Sequence, residues 1–297
     1  MYLVLALAAA ASWGASDFVG GLIGRRVPGA SVAFASQAVG LAALAALAPL
    51  AGGSPAGPDL AWGAVAGLGG ATGVASLYHG LAVGQMSVVA PLTAVGSATL
   101  PVVFGLLTGE RPSAAALTGV VLALVAVGVL CAFGPPAEDG DGAERAVDGG
   151  GAPGQGERAG GGGGGLVSGI VAGIGFGVFF ICLGRASGGV GLWPLVSARV
   201  VSVGVLAVLV LATRRALVPG GGTGPAVVLT GALDVVANAA YLLATRRGLL
   251  SIVSLLASLY PAATVGLARL VLRERLTRPQ AAGLAGAAAA VGLIALG

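Results

Sequence analysis

Charge is scarce in this chain. Only 9% of its 297 residues are charged, against about 25% in a soluble domain. So few polar groups cannot cover a water-facing exterior, and that excludes a soluble globular protein of this length. Lysine is absent altogether: the 15 basic residues are all arginine. They stand singly or in small groups between apolar runs, as anchors at a membrane surface do; they form no nucleic-acid footprint. Histidine occurs once, at His79, which excludes a two-histidine zinc protease. The two cysteines, Cys131 and Cys182, lie inside apolar runs and read as packing residues, with neither a disulfide framework nor a metal-ligand spacing around them. No Gly-Lys-Ser/Thr phosphate loop occurs. Nor is there the filter segment or ring of like charges that marks a channel.

What the chain does have is apolar length. It is 57% hydrophobic, with a mean hydropathy of +0.99. About 20 apolar residues in a helix cross a hydrocarbon core about 30 Å thick. Runs of that length recur at 3–22, 31–51, 60–82, 86–107, 113–133, 166–184, 193–212, 225–245, 249–272 and 279–297. The breaks between them are turn chemistry, such as Arg25-Arg26-Val27-Pro28-Gly29 and Gly109-Glu110-Arg111-Pro112. The first run lacks the positive leader of a signal peptide and is followed by further spans, so it reads as the first span. The expected fold is an all-α membrane protein of ten transmembrane helices.

Residues 134–165 differ in kind. Glu138, Asp139, Asp141, Glu144, Asp148 and Glu157 stand among many glycines, and the stretch ends in a glycine run. It cannot bury enough apolar surface to fold and reads as a flexible linker outside the membrane. It separates a first half, residues 1–133, from a second, residues 166–297, with five spans in each.

The halves resemble one another. A shift of 164 positions, from Glu110 to Glu274, brings Glu110-Arg111 onto Glu274-Arg275 and Ser87 onto Ser251 without a gap. The same shift pairs Gly67 with Gly231, Gly84 with Gly248, Gly119 with Gly283 and Gly128 with Gly292. A half with an odd number of spans ends on the face opposite to where it began, and the second half starts there. The two halves therefore point in opposite directions, as two inverted five-helix repeats, the construction of many secondary transporters.

At this level the chain resembles the EamA-type branch of the drug/metabolite transporter superfamily. The resemblance rests on Ser12-Trp13-Gly14 in the first span, Gly109-Glu110-Arg111 after the fourth, and Ser258-Leu259-Tyr260-Pro261 followed by Arg273-Glu274-Arg275-Leu276 in the second half. Arg273 departs from the pattern, standing where the first half has glycine. The resemblance implies a multi-pass carrier of the cytoplasmic membrane, with a central cavity between the halves and both termini cytoplasmic. Its members export amino acids and other metabolites, or move varied small solutes. The arginines contradict that orientation. Arg25, Arg26, Arg145, Arg158, Arg214, Arg215, Arg273, Arg275 and Arg278 fall in loops that would then be external, and only Arg111, Arg185, Arg246 and Arg247 in internal ones.

Charges within spans are costly and mark candidate functional positions. Asp17 lies about two-thirds along the first span, Arg199 about one-third along the seventh, and Asp234 near the middle of the eighth. Asp234, Asn238 and Tyr241 share one helix face, which must point inward. Two readings of Asp234 stand side by side: a desolvated substrate or proton site, and a structural partner of Arg199, about 6 Å away in depth. Trp13 precedes Asp17 by one turn, and an acid beside an indole suits a cationic group; the other reading of Asp17 is a bond to a neighbouring helix or a place where water penetrates. Arg199 presents a planar fork suited to a carboxylate. Substrate-binding or coupling residues are thus expected among Asp17, Trp13, Arg199, Asp234, Asn238 and Tyr241.

The remaining features read as structural. His79, Tyr78 and Tyr260 are expected as interfacial or packing groups, and Glu110 and Glu274 as local partners of the adjacent arginine or loop backbone. Gln37 matches the place of Arg199 in the other half after a two-residue shift. Gly165, Gly169, Gly173 and Gly177, and likewise Gly63 and Gly67, form small-xxx-small faces for close helix approach. The function expected is a secondary transporter of a small metabolite, an amino acid or related solute in the export direction, with protons as a candidate coupling ion and the lipid bilayer as surroundings. Efflux of cationic drugs is the rival within carriers. An intramembrane aspartyl enzyme is the rival of another class, and the sequence around Asp17 and Asp234 lacks a glycine directly before either acid. No cofactor or nucleic-acid partner is expected, and no oligomeric state follows.

Overall fold

A computed structural model of the chain describes residues 1–24, 27–83, 86–133, 162–186, 191–214, 216–217, 220, 222–272 and 277–296. These form α1 (Tyr2–Gly24), α2 (Gly29–Leu50), α3 (Gly57–Val83), α4 (Met86–Leu107), α5 (Ala114–Ala132), α6 (Gly162–Arg185), α7 (Trp193–Ala212), α8 (Gly224–Thr245), α9 (Leu250–Ala257), α10 (Tyr260–Leu272) and α11 (Arg278–Leu296). Among the described residues nine segments are long and apolar enough to cross a membrane. One of them is α9 and α10 taken together, Leu250–Val271, and α4 adds a shorter apolar stretch, Leu92–Leu107. The chain is a multi-pass, all-α membrane protein of ten spans in two five-helix repeats.

Two departures from the sequence reading have physical causes. α6 begins at Gly162, so the last glycines of the 134–165 stretch are helical. Glycine is a poor helix former on its own, but the same helix seats its glycine face on α4: a Cβ at Gly169 would meet Leu92, one at Gly173 would meet Gly96, and one at Gly177 would meet Leu100. Tertiary packing carries the helix back into the glycine run. Residues 134–161 lie outside the described residues. The ninth span, read as continuous over 249–272, is broken at Ser258 and Leu259. Pro261 follows the break; it has no amide hydrogen to give, and its ring would clash with the carbonyl four residues back in an unbroken helix.

The repeat is visible as reciprocal contacts. Gly119 of α5 packs on Ala290 and Ile294 of α11, while Gly283 of α11 packs on Ala126 and Leu130 of α5. Each residue in the second set is the first set's partner moved by 164 positions. Gly67 of α3 abuts the carbonyl of Ala198 on α7, and its counterpart Gly231 of α8 abuts the carbonyl of Ser36 on α2. Mutual contacts of this kind are what a two-fold axis produces between two copies of one surface. They also place Gln37 and Arg199, the residues after Ser36 and Ala198, at equivalent positions.

Both ends of the described chain, Tyr2 of α1 and Leu296 of α11, lie on one face, termed proximal, with the C-terminal ends of α2, α4, α6 and α8. The C-terminal ends of α1, α3, α7 and α10 lie on the opposite, distal face. Small residues set the helix spacing on the proximal side. Gly63 of α3 touches the backbone of Pro194 one turn before Gly67 meets Ala198, so α3 and α7 approach to backbone contact, the geometry that small-xxx-small faces permit in lipid.

Candidate functional site

Where the repeats meet, four helices contribute to one polar cluster. Asp234 on α8 is its centre. Its carboxylate forms an ion pair with the Arg199 guanidinium on α7, through Nη2 and Oδ2. The Trp13 indole of α1 donates to Oδ1 at 3.2 Å, and the Asn238 amide donates to Oδ1 at 3.1 Å and to the Asp234 backbone carbonyl at 2.7 Å. Three donors from three side chains meet the demand that a carboxylate makes inside a membrane. The pair is largely enclosed, with side-chain exposures of 10% for Arg199 and 23% for Asp234. Gly40 of α2 lies beside it: a Cβ there would come within 3.3 Å of Val235 and 3.7 Å of Arg199 Nε. The absence of a side chain at Gly40 lets α2 lie close to Val235 of α8, with the guanidinium alongside.

Below the pair, toward the proximal face, lies an aromatic floor. The Trp13 and Phe180 rings meet edge-on with centroids 5.5 Å apart, and the Phe180 and Tyr241 centroids are 5.0 Å apart. Tyr241 has no exposed surface. Its hydroxyl donates to the Phe180 carbonyl at 2.9 Å and shares a 2.7 Å hydrogen bond with Ser254 of α9. The stripe Asp234, Asn238, Tyr241 is therefore one inward face, as its spacing indicates, but its members do different things. Asp234 is in the ion pair, while Tyr241 ties α8 to α6 and α9. The Asn238 Oδ1 atom is buried and has no hydrogen-bond partner among the described residues.

Asp17 is set apart from this cluster. It forms no hydrogen bond or ion pair with a described residue, and it is exposed. Ser16 donates to the Thr230 carbonyl of α8 at 3.1 Å, and the Gly14 carbonyl accepts from Thr264 of α10 at 3.1 Å. At about 100° per residue, Asp17 projects between the directions of Trp13, which faces α8, and Gly14, which faces α10. Exposed Val4 marks the outer side of the same helix. Asp17 is thus directed between the sides of α1 that face α8 and α10, and one of its neighbours on that side, Gly14, abuts the Tyr260 carbonyl.

Other expected positions fall as follows. Gln37 accepts at 2.6 Å from Ser202, which stands one turn beyond Arg199 on α7; the two-residue shift between halves was the signal for it. Phe180 and Ser254 carried no signal, because a backbone carbonyl and one serine among many cannot be singled out by residue type. His79 is exposed and forms no hydrogen bond with a described residue; the Tyr78 side chain lies outside the described residues, as do Arg25, Arg26, Arg145, Arg158, Arg215, Arg273, Glu274 and Arg275. The local role expected of Glu110 is corrected. Its carboxylate accepts from the backbone amides of Leu250 at 2.6 Å and Ser251 at 3.0 Å, 140 positions away in the other repeat. Leu249 offers the start of α9 no side-chain cap, and those amides need an acceptor.

A solved crystal structure of a protein shares this fold, with a TM-score of 0.72 over 99% of this chain and 96% of that one at 18% identity. No curated protein matches the chain. The sequence profile described as the EamA-like transporter family matches residues 1–132 and 163–296, which takes in all the described helices but for single residues at the edges. Both five-helix repeats are thereby covered, and the chain belongs to the EamA-like transporter family of the drug/metabolite transporter superfamily.

Proposed function

We propose that this transporter carries a small amine-bearing metabolite, an amino acid or a related solute, out across the cytoplasmic membrane by alternating access. The observation that supports this most is the contrast between the two membrane aspartates. Asp234 is engaged by Arg199, Trp13 and Asn238, whereas Asp17 is exposed and has no partner among the described residues. A carboxylate held ready inside a membrane protein and close to aromatic rings suits an ammonium group or a proton. In this reading Asp17 receives the amine, and gives up or takes a proton as the cavity changes face. The substrate carboxylate competes with Asp234 for the Arg199 fork, which loosens the tie between α7 and α8.

Efflux of organic cations is the second reading, and one observation favours it: Arg199 is already neutralised by Asp234, so a cationic solute would need Asp17 alone. The proposed orientation keeps both termini cytoplasmic, following the family resemblance, against the arginine count. A reporter fused at Gly297 decides it, and a signal from the outer side would reverse the direction proposed. For the substrate class, purified carrier in liposomes is offered amino acids and organic cations, with and without a pH gradient. Uptake of an amino acid that depends on the gradient supports the first reading; uptake of organic cations alone supports the second. Movement of neither class would remove both.

A further inference from the structure

Glu110 is placed with more care than a loop carboxylate requires. α4 ends at Leu107, and Gly109 follows with φ of +97°, a backbone region that glycine adopts without strain. This reverses the chain, so that the Glu110 amide donates to the Gly105 carbonyl at 2.9 Å. The carboxylate then lies directly over Gly105, where any side chain would collide with it. From there both oxygens reach the other repeat, one to the Leu250 amide and one to the Ser251 amide. A bidentate, charge-assisted cap of this kind is among the stronger hydrogen-bonding arrangements available to a helix start.

What the cap positions is the first residue of α9, at a junction of three helices. Leu250 is the first residue of α9, and its side chain sits on Gly184 near the end of α6, where a Cβ would lie 2.5 Å from Leu250 Cδ1 and 3.5 Å from Thr245 of α8. The ends of α6 and α8 and the start of α9 therefore converge on Leu250 at the proximal face. One turn deeper on the same helix, Ser254 joins Tyr241. Every residue from Leu250 to Ala257 is buried. On the opposite side, Asp17 and Gly21 of α1 are exposed, and a Cβ at Gly21 meets nothing within 4 Å.

We infer that Glu110 is a cross-repeat latch: by holding the first two amides of α9 it keeps Leu250 at the three-helix junction as a seal of the proximal face, and its release is a step in opening that face. Glu110 is a positioning residue in this scheme; it acts through Leu250 and touches no substrate. The inference rests on the alternating-access reading above and gives it a moving part.

The test uses full-length carrier in liposomes with Cys131 and Cys182 replaced by alanine. It carries one reporter thiol at a time: Ala257→Cys beneath the seal, or Gly21→Cys toward the distal face. An impermeant thiol reagent is applied to each face. With Glu110 intact, Ala257→Cys labels slowly and Gly21→Cys quickly. Glu110→Gln keeps the shape but can offer only one acceptor oxygen, and the expected result is reciprocal: proximal labelling of Ala257→Cys rises about tenfold, and distal labelling of Gly21→Cys falls. Leu250→Ala, which removes the seal and leaves the latch, gives the same pair of changes and serves if Glu110→Gln does not fold. A rise at both reporters means general loosening and overturns the latch, and so do unchanged rates at both. Transport measured on the same liposomes separates the two ideas. A carrier that transports while its reporters ignore Glu110→Gln loses the latch and keeps the function; a carrier that moves no solute loses the function.

Discussion

The Trp13 indole of the first repeat donates at 3.2 Å to the Asp234 carboxylate of the second, 221 positions away. The same carboxylate is paired with Arg199, so one acid ties α1, α7 and α8 together. The tie is a structural element, and under the proposed function a solute that competes for any of the three groups changes the contact between these helices.

Breaking the ion pair from one side leaves an uncompensated charge in an enclosed place. Arg199→Met or Asp234→Leu alone is expected to destabilise the protein by about 3–5 kcal/mol. The double replacement is expected to lose less than the sum, since neither charge then remains. Thermal unfolding of the four proteins in one detergent checks this, and additive losses would mean that the two groups do not interact.

Asp17 behaves oppositely in this account. With no partner among the described residues, Asp17→Asn is expected to leave the unfolding temperature unchanged or raise it slightly, because a charge inside the membrane protein is removed at no loss of contacts. A fall comparable to that of Asp234→Leu would show that Asp17 has a structural partner.

Glycines divide by what surrounds them. A methyl at Gly67 would run into the Ala198 carbonyl, with the Ala198 Cα 3.0 Å away, whereas one at Gly204 meets nothing within 4 Å. Gly67→Ala is expected to cost about 1–3 kcal/mol through forced separation of α3 and α7. Gly204→Ala is expected to be neutral or to stabilise by up to about 1 kcal/mol. Folded yield and unfolding temperature distinguish the pair.

The Tyr241 hydroxyl joins three helices, so its loss is expected to appear in stability before it appears in recognition. Tyr241→Phe removes both hydrogen bonds and leaves the Phe180 carbonyl and Ser254 with one partner fewer, at about 1–3 kcal/mol. Substrate KM is expected to change less than twofold. A large KM change with unaltered unfolding would move Tyr241 from the floor to the substrate.

Much of this architecture could be read from the residues because apolar length is a local property. Spans 86–107 and 193–212 coincide with α4 and α7, and the repeat shift anticipates the reciprocal contacts of Gly119 and Gly283. The break at Ser258 and Leu259 was less visible, since the apolar run continues through it and Pro261 can also sit in a continuous, kinked helix. The partners of Asp234 were half legible: Arg199 followed from matching depth, but the Trp13 bond depends on the crossing of α1 and α8, which no spacing encodes. Glu110 was misread for the same reason. Its neighbours in sequence are arginine and loop backbone, while its partners in space belong to the other repeat.

Under the proposed function Asp17, a membrane carboxylate with no partner among the described residues, receives the transported solute. Uptake of amine-bearing solutes into liposomes holding equal amounts of folded parent protein or the Asp17→Asn variant tests it most directly. The account predicts uptake by the parent, and a loss of at least tenfold in the variant with its unfolding temperature preserved. Equal rates in the two proteins would contradict it.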